Sequence, residues 1–220
     1  MARKGDDDPA PRVILLHGMA RTARSMKPLV RDLCRAGYRV HNVDYPTRAY
    51  DVAGLVERYV RPAVAACGSD LPVHVVTHSM GGILIRYCLQ STDLPPGSRI
   101  VMLAPPNNGS EVADRVRHWP AYRWLMGPVG QQLGTGPDSI VHRLRPVSAE
   151  IGVIAARRSI QPWFSTLIPG PDDGAVSVES TRLAEMRDFI VVDSSHSLML
   201  FNDEVRRQVG HFLSTGRFAH

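Results

Sequence analysis

Cysteine is scarce in this chain: Cys34, Cys67 and Cys88 are its only three. They lie far apart and lack the spacing of metal ligands. An odd number does not make a disulfide framework, so a reducing compartment is the better expectation. Cys34 and Cys88 fall in predicted helices and are expected to pack there as small apolar residues. Long hydrophobic runs are missing too. The longest near the start, Val13-Ile14-Leu15-Leu16, has the length of a strand rather than of a signal peptide, and no stretch is long enough to span a bilayer. The expected location is therefore the cytoplasm. Basic runs are also absent. The formal net charge is +5 with a pI near 9.4, but nearly all of the positive charge is arginine scattered along the chain, so no nucleic-acid partner is expected. Internal repeats and low-complexity tracts are lacking, and nothing in the residue spacing calls for a metal or an organic cofactor.

What is present reads as one globular domain over residues 1–220, with 44% apolar and 21% charged residues and enough chain to bury a sizeable core. Residues 1–11, with the run Asp6-Asp7-Asp8, form an expected mobile leader. Beyond it, short Val/Ile/Leu runs at 13–16, 38–43, 73–77, 100–103, 151–155 and 189–192 alternate with amphipathic segments at 25–36, 51–67, 82–89 and 202–213. Pro62 is expected to kink or split the second of those helices. Apolar runs without in/out alternation predict an α/β fold: a mainly parallel sheet of about six strands with helices on both faces. Ligands in such sheets bind beyond the carboxyl ends of the strands. Two connections are longer than a crossover needs. Residues 105–150 read as a lid or cap insertion, and 157–171 as a second long loop. Together they hold all three tryptophans, so Trp119, Trp124, Trp163 and Phe164 are candidate substrate-binding walls.

His78-Ser79-Met80-Gly81-Gly82 stands between a predicted strand and a predicted helix. A serine on such a sharp turn is strained and pushed out at the top of the sheet, and the glycines let the helix pass close to the strand. Serine needs a base to take its proton and a buried acid to fix that base's tautomer. His196, after the last predicted strand and before the last helix, is the candidate base. Asp173, in Asp173-Gly174-Ala175-Val176, is the candidate acid, because the following valine re-enters apolar packing and would hold the carboxylate inward. Asp172 is the expected turn-making or solvent-facing neighbour, and Asp44 a lesser alternative acid. His78 is expected to point away from Ser79 and pack beneath the turn, and His74 to be a core or sheet-face residue. The developing oxyanion needs two donors. The backbone N–H groups of Met80 and of Met19, in His17-Gly18-Met19-Ala20, are the candidates.

Taken together, Leu15-Leu16-His17-Gly18, Asp44-Tyr45-Pro46, Thr77-His78-Ser79-Met80-Gly81-Gly82, Ala104-Pro105-Pro106-Asn107-Asn108-Gly109-Ser110, Asp173-Gly174-Ala175-Val176 and His196 resemble the α/β-hydrolase superfamily, specifically its small lipase/esterase-like members. The resemblance runs from the first strand to the last helix. It implies a sheet whose second strand lies outside the first, and a minimal version of the fold without the leading antiparallel hairpin. The family's usual Gly-x-Ser-x-Gly has Thr77 in its first place here. The implied activity is hydrolysis of carboxylic esters through an acyl-enzyme, with no cofactor and with a small-molecule or lipid-like ester as substrate. An acyltransferase or thioesterase using the same residues is the alternative, and a non-catalytic binding module on this fold a more distant one.

Overall fold

A computed structural model describes residues 10–220. Residues 1–9, which include the aspartate run of the expected leader, lie outside the described residues. Six strands, β1 (Arg12–Leu16), β2 (Arg39–Val43), β3 (Val73–His78), β4 (Arg99–Leu103), β5 (Glu150–Ala156) and β6 (Met186–Val192), form one sheet in the order β2-β1-β3-β4-β5-β6. All five pairings are parallel, with Leu16 opposite both Val43 and Thr77. The second strand does lie outside the first.

The middle of the sheet is buried on both sides, which explains the apolar runs of β1, β4 and β5, while the edge strands β2 and β6 are partly exposed and carry polar residues. Ile14 and Leu16 of β1 belong to one core with Val75 and Met102, while Val13 and Leu15 belong to the opposite core with Val76 and Val101. The first core is covered by α2 (Val52–Leu55), α3 (Arg61–Ala66) and α4 (Met80–Cys88), and the second by α1 (Lys27–Arg35) and α9 (Asp203–Thr215). Between α2 and α3 the chain makes a π-helical turn, Val56–Val60. It sits just ahead of Pro62, whose ring would crowd the carbonyl four residues back; widening that turn accommodates the proline without breaking the helix.

The ends of the helices follow local chemistry. The Asn202 side chain accepts from the N–H groups of Glu204 and Val205 and starts α9, which ends at Gly216 with φ 78°. The first helix starts later than the amphipathic segment 25–36. A 3₁₀ turn, Ala23–Met26, precedes α1 (Lys27–Arg35), and the Ser25 hydroxyl in that turn donates back to Thr22. Cys34 is another correction. It is exposed, whereas Cys67 and Cys88 are buried. The buried face of α1 is Leu29 and Leu33, and a residue one step beyond Leu33 is turned about 100° away from that face.

The insertion between β4 and β5 holds three short helices that the sequence pattern did not reveal: α5 (Glu111–Val116), α6 (Pro120–Gly130) and α7 (Ile140–Arg143). A fourth, α8 (Pro162–Ser165), lies between β5 and β6. Gly127 interrupts α6 with φ 63°, where its missing Cβ leaves room for the Arg48 backbone; a Cβ there would lie 2.6 Å from the Arg48 carbonyl oxygen. No helix among the described residues is long and apolar enough to cross a membrane.

Candidate active site

β3 runs into α4 with a single residue between them. That residue, Ser79, has φ 52° and ψ −123°, a conformation costing on the order of 1–3 kcal/mol for a residue with a side chain. Two hydrogen bonds hold it there: the Ser79 N–H donates to the Leu103 carbonyl at 2.8 Å, and its own carbonyl accepts from Gly82 N–H at 2.9 Å. A Cβ on Gly81 would lie 2.6 Å from the Leu16 carbonyl oxygen, and one on Gly82 would lie 2.9 Å from the Pro105 Cβ. Only glycine lets α4 cross so close to β1 and the loop after β4. Thr77, in the place the family gives to glycine, is tolerated because its buried hydroxyl faces Gly82, 3.5 Å from where a Cβ would stand. That hydroxyl has no hydrogen-bond partner among the described residues.

The loop after β6 brings His196 over this turn. Its Nε2 lies 3.0 Å from Ser79 Oγ, and its Nδ1 lies 2.7 Å from Asp173 Oδ2. Since a carboxylate only accepts, Nδ1–H is the donor and Nε2 is left free to accept from the serine hydroxyl. Asp173 is buried. Its second oxygen accepts from the N–H groups of Ala175 and Val176 at 3.0 and 2.9 Å, and its backbone carbonyl accepts from the His196 N–H at 3.0 Å. Main chain and side chain thus join the acid loop to the base loop. Asp172 turns the other way and closes its own loop, accepting from Gly174 N–H and the Ser165 hydroxyl. Asp44 lies across the sheet, 3.6 Å from His17, and Asp193 pairs with Arg157 and Arg158.

His78 does more than pack beneath the turn. Its Nε2–H donates to the His196 carbonyl at 2.9 Å. Burial pushes its pKa well below the ordinary imidazole value, and the neighbouring His196 pushes it further the same way, so it is held neutral. On its other side it meets the loop after β1: a Cβ on Gly18 would lie 2.8 Å from His78 Nδ1. One imidazole therefore touches the serine turn, the base loop and the candidate oxyanion loop. The sequence signal was its position alone, the last residue of a strand whose neighbour must point the opposite way.

The candidate oxyanion loop is shaped by His17. Its ring stacks on Tyr45, 3.9 Å between centroids, and burial lowers its pKa. The neutral ring donates from Nδ1 to the Gly18 carbonyl at 3.0 Å and accepts at Nε2 from Tyr45 N–H. Drawing that carbonyl toward the imidazole turns the N–H of the same planar peptide, that of Met19, the opposite way. The Met19 N–H makes no hydrogen bond among the described residues. The next N–H, of Ala20, is taken by Thr47 Oγ1 at 3.2 Å. Met80 is the first residue of α4, where no carbonyl four residues back reaches its N–H and the helix dipole favours negative charge.

Above the serine is a cavity of about 180 Å³. Met19, Tyr122, Met126, Leu133 and Val176 give it apolar walls, and Arg21 stands at one side. Tyr122 and Met126 are one turn apart on α6, so both point inward. Burial pushes the Tyr122 hydroxyl up to about 12. The four aromatics expected to bind substrate, Trp119, Trp124, Trp163 and Phe164, are not among the lining residues. The tryptophans are 61%, 74% and 64% exposed. Trp119 and Trp124 sit off the inward face of α6. The sequence pattern did not reveal this helix, and it favoured the large aromatics of the insertion over the i, i+4 pair that faces the cavity.

The sequence profile of the alpha/beta hydrolase family matches residues 13–208, and the chain belongs to that family. No curated protein matches it by sequence. Among solved structures it is similar to the lipase BlEst2 of Bacillus licheniformis in mature form, with 18% identity, a TM-score of 0.74, and coverage of 98% of this chain and 96% of that one. It is also similar to an esterase from Exiguobacterium antarcticum, with 14% identity, a TM-score of 0.62, and coverage of 94% and 92%. Phospholipase PlaB from Legionella pneumophila matches at 17% identity and a TM-score of 0.67, with 94% of this chain aligned to 57% of that larger one. At such identities the likeness is one of fold.

Proposed function

We propose that this member of the alpha/beta hydrolase family is a serine hydrolase that cleaves carboxylic esters through an acyl-enzyme. The observation that carries the reading is the chain of hydrogen bonds from Ser79 Oγ to His196 Nε2 and from His196 Nδ1 to Asp173, at 3.0 and 2.7 Å. Ser79 Oγ attacks the ester carbonyl as its proton passes to His196 Nε2. Asp173 holds the ring in place and stabilises the imidazolium. The Met19 and Met80 N–H groups donate to the developing oxyanion. His196 then gives its proton to the leaving alkoxide, which departs as the alcohol. Water attacks the acyl-serine as His196 takes its proton and returns it to Ser79, releasing the acid.

The apolar walls of Met19, Tyr122, Met126 and Leu133 favour an acyl chain or another apolar group, and the three free thiols fit a reducing, cytoplasmic setting. An alkyl phosphonate fluoride tests the mechanism. It should add once per chain, with the adduct located on Ser79 by mass spectrometry and lost in Ser79→Ala. Labelling elsewhere, or full turnover of an activated aryl ester by Ser79→Ala, would end the reading. Adding a primary alcohol and comparing free acid with new ester would separate hydrolysis from acyl transfer.

A further inference from the structure

The exposed apolar surface of this chain is gathered at one end. Among the described residues, every exposed large hydrophobic side chain lies at the carboxyl end of the sheet. Trp119, Trp124 and Leu125 follow β4, Ile160 and Trp163 follow β5, and Leu198 and Phe201 follow β6. Val191 is the next-to-last residue of β6 itself. The connections at the amino end, around residues 36–38, 67–72, 89–98 and 144–149, expose none. Scattered single hydrophobics are ordinary on a protein surface. Three tryptophans, each more than half exposed and all on the face that holds the mouth of the Ser79 cavity, are not.

Within the segment that carries Trp119, Trp124 and Leu125 the charge has one sign, although the exposed Asp44 borders Leu125 from the loop after β2. Residues 115–137 contain Arg115, Arg117 and Arg123 and no aspartate or glutamate, and all three arginines are exposed. The nearest acid in sequence, Asp114, is taken up by the N–H and hydroxyl of Thr135. Arg48, reaching over from the loop after β2, sits 5.3 Å above the Trp124 ring. Tryptophan beside arginine is the composition of a side that lies in a membrane interface: the indole rests at headgroup depth while the guanidinium meets negative charge.

We infer that this face docks on an anionic lipid surface, with α6 and the loop carrying Trp163 as its contact. A second copy of the chain fits the same face poorly, because a two-fold contact would set the arginine-rich segment against itself. The inference goes beyond the proposed hydrolysis and does not require it. If both hold, the surface would bring ester groups to the cavity mouth.

The test uses the full chain carrying Ser79→Ala, so that the proposed hydrolysis does not consume the lipid. All three tryptophans lie in the proposed contact, so intrinsic fluorescence reports on it directly. Vesicles with one third phosphatidylglycerol in phosphatidylcholine should shift the emission to shorter wavelength and pellet the protein; pure phosphatidylcholine should do so far less. Arg115→Gln, Arg117→Gln and Arg123→Gln together should weaken binding to the anionic vesicles by on the order of 100-fold. Trp119→Ala, Trp124→Ala and Trp163→Ala together should weaken it by about tenfold or more. Arg145→Gln with Arg217→Gln, at the opposite end, should leave it unchanged. Far-UV circular dichroism checks that each variant is folded. Unchanged emission and no pelleting with anionic vesicles would overturn the inference. So would a blue shift that grows with protein concentration in the absence of lipid, which would assign the face to a second copy. Equal loss from the opposite-end variants would reduce the binding to general charge and overturn it as well.

Discussion

His78 donates its Nε2–H to the backbone carbonyl of His196 at 2.9 Å. The residue before the proposed nucleophile thus fixes the loop of the proposed base. The bond is partly buried, and leaving its carbonyl without a donor costs at most about 1–3 kcal/mol. His78→Phe keeps a flat ring, slightly larger than the imidazole, and removes the donor. On an activated aryl ester it should lower kcat by roughly 10–100-fold with KM little changed, because a loosened His196 misplaces proton transfer rather than substrate. A variant that raises KM alone, with kcat intact, would show that His78 only shapes the cavity.

The same imidazole limits the loop on its other side. A Cβ on Gly18 would lie 2.8 Å from His78 Nδ1 and 3.2 Å from Ser79 Cβ. Gly18→Ala must therefore push the loop after β1, the proposed oxyanion loop, away from the serine or displace His78. Activity should fall by about 100-fold or more, while the loss in stability stays within the roughly 1–3 kcal/mol of ordinary overpacking. Urea unfolding beside ester turnover measures both. Wild-type turnover in a folded Gly18→Ala protein would show that the loop's position is immaterial.

Ser79 itself is held at φ 52°, where a Cβ is strained and glycine is not. Ser79→Ala and Ser79→Gly both remove the hydroxyl, so the difference between them isolates the backbone. Glycine should be the more stable of the two by about 1 kcal/mol, the relieved strain exceeding the extra entropy it brings to the unfolded chain. If Ser79→Ala is the more stable, the turn stores no strain.

Much of the fold is legible in the sequence alone. Strand runs that bury both faces can only be the interior of a sheet covered on each side, so the parallel order followed from Val13–Leu16, Val73–His78 and their successors. Ser79 and His196 can be nominated because each follows a strand, and strand ends are marked by where the apolar runs stop; Asp173, well beyond the end of β5, is nominated from the valine that follows it in Asp173-Gly174-Ala175-Val176. The substrate wall was not. On α6 the choice between Trp124 and Met126 depends on the rotation of a helix that Gly127 interrupts, and aromatic content carries no information about rotation. Cys34 was misjudged for the same reason, one residue beyond the buried Leu33. The His78–His196 bond joins residues 118 apart and leaves no trace in local pattern.

Stability against acid should show the three buried histidines. Burial lowers the pKa of His17 and His78, and brings that of His74 to about 4, with Arg99 adding to the effect on His74. Each folded value lies below the unfolded value of 6.5. Between the two, the unfolded chain holds a proton that the folded chain refuses, so stability falls as pH drops from 6.5 toward the folded values and is fully present above 6.5. Each histidine contributes a slope approaching about 1.4 kcal/mol per pH unit, and three together about 4. The carboxylates whose folded pKa values are lowered start from 3.8 or 4.5, so they contribute chiefly below pH 5 and leave the window from 6.5 to 5 to the imidazoles. His74 is the one to replace. Its Nδ1 accepts from the Arg99 N–H at 3.1 Å, and the side-chain oxygen of His74→Asn can keep that bond while removing the titration. Urea unfolding at pH 7, 6 and 5 should give a shallower pH slope for His74→Asn by about 1.4 kcal/mol per unit at most. Identical slopes for the variant and the wild type would mean that His74 accepts its proton without unfolding the sheet around it.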